Sequence, residues 1–182
     1  SDGYVLDVTN FRTDDKDALL GRIYEKAEKH FKVAKHLVTT KPWDFFMMVE
    51  MGIDRIHHAF WKYMDDTHPK YEKGNRYQDV IKEFYQYCDN QMNELISLFP
   101  ADTTIIVVSD HGAKRLVGGI CFNEWLIEQG YLSLEFYPQE VMPIDKVSID
   151  WSKTRAWGDG GYYGRLFLNV QGREPQGIIP PE

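Results

Sequence analysis

The sequence predicts an α/β fold with a mainly parallel sheet and flanking helices. Two observations carry this expectation. The runs "DFFMMVEM" (44–51) and "TTIIVVS" (103–109) are apolar on both faces, as strands covered from either side should be. A helical apolar period precedes the first run and another lies between the two, so the chain can cross over through a helix to a parallel neighbour.

The elements follow in order. Leu19, Leu20, Ile23, Tyr24, Ala27, Phe31 and Ala34 recur at helical spacing between Asp14 and about Leu37. Thr13 or Asp14 suits the cap, and Asp14, Asp15 and Asp17 suit the positive end of the dipole. Lys41 and Pro42 close that region ahead of the first buried run. After Gly52, "IDRIHHAFWKYMDD" reads as the start of a helix or as a loop with helical turns. A polar turn with Pro69, Gly74 and Asn75 leads to a long amphipathic helix from about Tyr77 to Phe99. The second buried run comes next. Asn123 suits the cap of a short helix through Gln129, which Gly130 ends. Residues 133–150 read as irregular, and strand-like pieces at 153–158 and 162–170 complete the set. The whole of 1–182 reads as a single α/β unit, with the helical segment 1–40 a candidate part of a cap.

With 182 residues, 43% hydrophobic and 27% charged, the chain can bury a proper core. A net charge of −7 argues against a nucleic-acid duplex as partner and suits divalent cations. Cys88 and Cys121 are too few and too isolated for a disulfide framework or a zinc cluster, and fit a reducing compartment. No run approaches the roughly 18 apolar residues of a membrane span, and no secretory leader opens the chain. The expectation is a cytoplasmic protein without a membrane partner.

Chemistry concentrates at the ends of the two buried runs. In an open parallel sheet, ligands bind beyond the carboxyl ends of the strands. Asp110 and His111 end the second run, where Gly112 permits a bend that turns both side chains to one region. Asp54 follows the first run, with His58 four residues on, so a helical turn puts both on one face. His57 competes with His58, and spacing alone does not separate them. Carboxylate with imidazole suits zinc, manganese or iron better than calcium. His30 and His36 sit on a Lys-rich helical pattern and read as solvated, and His68 as a loop residue. In "AWGDGGYYGR", Trp157, Tyr162 and Arg165 are candidates to line a substrate cleft, although sheet packing around a tight glycine bend explains the same text.

"WDFFMMVEMGIDRIHHAFWKYMD", then "SDHGAK", "NEWLIEQGYL" and "LFLNVQGREPQG", resemble the alkaline phosphatase superfamily. Within it the chain is similar to the type I phosphodiesterase/nucleotide pyrophosphatase branch, over most of its length. The resemblance implies an alkaline-phosphatase-like fold and two divalent ions, zinc or manganese. It assigns Asp54 and His58 to one ion and Asp110 and His111 to the other, preferring His58 over His57. It implies a small phosphoester substrate, in-line displacement at phosphorus and a Thr or Ser nucleophile.

The departures are specific. Nothing before Asp54 resembles the nucleophile segment, and Asp7 or Thr9 would be a forced assignment to the early part of the site. No histidine follows His111 to supply the remaining ligand. These gaps, the absent initiator Met and the ending "GIIPPE" lead to the expectation of an internal fragment of a longer metallohydrolase, inactive alone, with its nucleophile elsewhere and its sheet incomplete. A cofactor-independent phosphoglycerate-mutase-like phosphomutase and a non-catalytic interaction domain of the same fold are the alternatives.

Overall fold

A computed structural model describes residues 6–160 and 163–181. Where the sequence reads as one unit, these residues form two compact ones, the first ending at Val117 and the second beginning at Gly118.

Three helices build the first unit: α1 (Lys16–Thr40), α2 (Gly52–Met64) and α3 (Val80–Ile96). The cap of α1 is neither Thr13 nor Asp14 but Asp15, whose Oδ1 accepts from the Ala18 N–H at 3.1 Å. The apolar stripes meet in one cluster holding Leu19, Ile23, Ala27 and Phe31 of α1, Ile56, Ala59 and Phe60 of α2, and Ile81, Phe84 and Cys88 of α3. Tyr24 meets Phe84 and Tyr87 edge-on, with each pair of ring centroids 5.1 Å apart. The second segment, open between helix and loop from sequence, is a helix of 13 residues.

The two expected parallel strands are not formed. Residues 44–50 and 103–109 carry no ladder, and the described residues hold a single sheet, elsewhere in the chain. In the first segment Phe46 and Met48 turn inward against α1 and α3, while Phe45, Met47 and Val49 face out at 80%, 71% and 55% exposure. Ile106, Val107 and Val108 are likewise exposed. Residue type marks a segment that tolerates burial on both faces, but a strand also needs a neighbour to take its backbone hydrogen bonds.

In the second unit, α4 (Phe122–Glu128) and the antiparallel pair β1 (Ala156–Asp159) and β2 (Arg165–Leu168) surround Leu126, Leu132 and Ala156. Ala156 lies opposite Leu168, and Asp159 opposite Arg165. Gly130, at φ +72°, closes α4, and the Tyr131 N–H returns to the Leu126 carbonyl at 2.8 Å. Asn123 is not the cap. It sits inside α4 and exchanges two hydrogen bonds with the Gly158 backbone, tying helix to strand. Buried Asn169 donates to the carbonyls of Thr154, Gln176 and Trp151 and ties the end of β2 to two loops.

Candidate metal centre

The placement of α2 starts from a buried carboxylate. Glu50 is tied to Lys26 Nζ at 3.1 Å and His30 Nδ1 at 2.8 Å, both on α1, and accepts the Gly52 N–H at 2.6 Å. The side chains of Lys26 and Glu50 are only 5% and 10% exposed, so this is an interior ion pair. His30 and Lys26 therefore do not belong to a solvated helix face, as the Lys-rich pattern suggests. They are turned inward because Glu50 offers the charge that lets them be buried. Gly52 leaves no room for a side chain: a Cβ there would lie 2.7 Å from both Glu50 Oε1 and Phe84 Cζ.

One turn into α2, Asp54 and His58 share a face. Asp54 Oδ1 lies 3.4 Å from His58 Nε2, and the imidazole is half exposed. His57 points elsewhere, with Nε2 3.2 Å from the Tyr85 hydroxyl and its ring edge-on to Trp61 at 5.4 Å. Burial lowers the His57 pKa; Asp54 opposes this, while His58 and His111 add to it. Asp110 Oδ2 lies 3.4 Å from His111 Nε2 in an exposed loop. The pairing does not depend on an unusual backbone at Gly112, which is not among the glycines with positive φ. The Gly112 carbonyl raises the His111 pKa, with further contributions from Asp110 and from Asp54.

The donor chemistry suits a divalent ion, since each pair brings one anionic oxygen and one imidazole nitrogen together. Each pair offers two such donors. Among the described residues no group of three or more His, Cys, Asp or Glu is gathered as a complete cage would require.

Arg55 escapes sequence reasoning, and it draws in Asp7, which the sequence offers only as a forced assignment. Arg55 bonds both Asp54 and Asp7, and thereby joins Asp7, forty-eight positions away, to the Asp54/His58 pair. Arg55 holds the Asp7 carboxyl below its ordinary range, against a smaller opposing effect of burial. An Arg next to a candidate ligand is the one signal in the sequence, and it carries no spacing rule.

The candidate cleft residues fall in the second unit. Trp157 stacks on Phe167, its partner across the sheet, at 5.4 Å and meets Trp151 edge-on at 4.9 Å. Arg165 is exposed at the start of β2. Tyr162 lies outside the described residues. A shallow apolar concavity of this unit, bounded by Ile127, Leu132, Leu134, Tyr137 and Met142, includes neither Trp157 nor Arg165. Among the described residues no helix is long and apolar enough to cross a membrane.

A family model described as type I phosphodiesterase / nucleotide pyrophosphatase matches residues 2–182. No curated protein and no solved structure matches the chain significantly.

Proposed function

Because the chain belongs to the type I phosphodiesterase / nucleotide pyrophosphatase family, we propose that it serves hydrolysis of a phosphodiester or nucleotide pyrophosphate bond at a two-ion centre. Asp54 with His58, and Asp110 with His111, are the protein donors in this reading, and zinc or manganese the ions. The observation that carries it is the pairing itself: two Asp/His pairs, each with oxygen and nitrogen 3.4 Å apart, in a chain matched by that family over residues 2–182.

When bound, the ions would supply charge neutralisation at the phosphoryl oxygens and activation of a hydroxyl. The chain's own contribution is to hold anionic oxygens and imidazole nitrogens in place beforehand. Asp54 and His58 do so on one rigid helical turn, and Asp110 and His111 on consecutive residues of a loop. The same proposal includes an alkaline-phosphatase-like fold, which the family implies.

Two protein donors per ion are fewer than the three or four of a typical zinc site. The 182 residues are therefore expected to bind metal weakly and to turn over slowly at best. The test reads binding first. Calorimetric titration with zinc or manganese should give weak sites that Asp54→Asn and Asp110→Asn each diminish. Release of p-nitrophenol from its bis-phosphodiester should be slight and, where present, should disappear in both variants. Binding and turnover indifferent to both substitutions would refute the assignment.

A further inference from the structure

Arg55 directly follows Asp54, and its guanidinium is held from several sides. Nε donates to Asp7 Oδ1 at 3.0 Å and Nη2 to Asp7 Oδ2 at 2.5 Å, a forked pair. The guanidinium carbon lies 4.7 Å from the centroid of the Phe11 ring, which in turn lies 5.5 Å from the His58 ring. The remaining nitrogen, Nη1, donates to Asp54 Oδ2 at 2.5 Å. The other carboxylate oxygen, Oδ1, is the one 3.4 Å from His58 Nε2.

An aspartate on a partly exposed helical turn can rotate and offer either oxygen, or neither, to a cation. Tying Oδ2 removes that freedom. We propose that Arg55, braced by Asp7 and Phe11, is a positioning residue for Asp54, fixing which carboxylate oxygen faces His58 and so presetting this donor pair for a divalent cation. The inference rests on the metal reading of Asp54 and His58, and adds to it how the pair is oriented.

Charge alone predicts the opposite effect. A guanidinium beside a ligand carboxylate repels an incoming dication, so deleting a mere charge would tighten binding. Deleting an orienting group weakens binding despite the relief of repulsion. The sign of the change separates the two roles.

Zinc is titrated into the full chain at neutral pH while the Cε1–H resonances of His58 and His111 are followed by NMR. Each resonance is assigned with the corresponding His→Ala variant. Arg55→Gln should weaken the zinc response of His58 about 10-fold, at the low end of the ~10–100-fold known for groups that orient metal ligands. The His111 response should move much less. Asp7→Asn should weaken the His58 response too, and the double variant should be no weaker than Arg55→Gln, because Asp7 acts through Arg55. Arg55→Lys keeps the charge without the fork and should fall between parent and Arg55→Gln; it also provides the readout if Arg55→Gln does not fold. Unchanged or tighter binding at His58 in the Arg55 variants overturns the positioning role. Asp54→Asn tests the premise: if the parent gives no zinc response at His58, or Asp54→Asn leaves it intact, the metal reading of this pair fails and the positioning role falls with it.

Discussion

Replacing Glu50 by Gln should destabilise the first unit out of proportion to the atoms changed. Gln keeps the size of the side chain and an oxygen for the Gly52 N–H, but removes the charge that neutralises Lys26. With only 5% of the Lys26 side chain exposed, water cannot take over that role. Breaking an interior pair by removing one partner costs about 3–5 kcal/mol. We take about 3 kcal/mol, since the amide still hydrogen-bonds, which at about 2–4 °C per kcal/mol lowers the midpoint by roughly 6–12 °C. The assay is thermal unfolding by circular dichroism at pH 7. Lys26→Met on top of Glu50→Gln should restore most of the loss, because the buried cation is then gone as well. The pH dependence carries a second check. Burial alone would raise the Glu50 pKa, but His30, Lys26 and the Gly52 N–H together bring it below the ordinary 4.5. A carboxyl with a depressed folded-state pKa contributes stability that is full above the unfolded value and lost as pH falls through the folded one. The gap between parent and Glu50→Gln should thus close as pH falls below 4.5. A single variant within about 0.5 kcal/mol of the parent, the scatter of ordinary surface changes, would refute the reasoning. So would a double variant no better than the single.

Gly52→Ala should lower stability by about 1–3 kcal/mol, since the added methyl meets Phe84 and Glu50; an unchanged melting curve would mean that the helix start yields easily. Asn169→Ala should cost about 1–3 kcal/mol by leaving buried carbonyls unpaired, and hydrogen exchange should speed up at 131–134 and 154–156 but not in α3. Ile106→Lys should suppress concentration-dependent light scattering without shifting the melt, because the side chain is 78% exposed in an unpaired apolar run. Burial pushes the Cys88 thiol up to about 12 while Cys121 is exposed, so a thiol reagent at pH 8 should find one fast cysteine, lost in Cys121→Ser.

The helices were readable because their signals are local. The apolar stripe of α1, the span of α3 and the Gly130 stop each depend on residues within a few turns. The cap shifted to Asp15 because several acidic residues compete there, and composition does not rank them. The expected parallel sheet is not formed among the described residues. The runs 44–51 and 103–109 have the residue types of covered strands, but their hydrogen-bonding neighbours are a matter of tertiary structure. At the candidate site, spacing brought Asp54 and His58 together because a helix makes i and i+4 neighbours. It left His57 open, and only packing against Tyr85 and Trp61 separates the two rings. Asp7, Arg55, Glu50 and His30 act through contacts between segments distant in sequence, which no periodicity encodes.

All three helices of the first unit lie within residues 16–96, and their core is made almost wholly from one another. Contacts of that kind close short loops, so the cluster can assemble early and quickly. The turn bearing Asp54 and His58 draws its shape from that cluster, to which Asp110 and His111 contribute nothing. In refolding, that turn can therefore form while the loop pair is still unplaced.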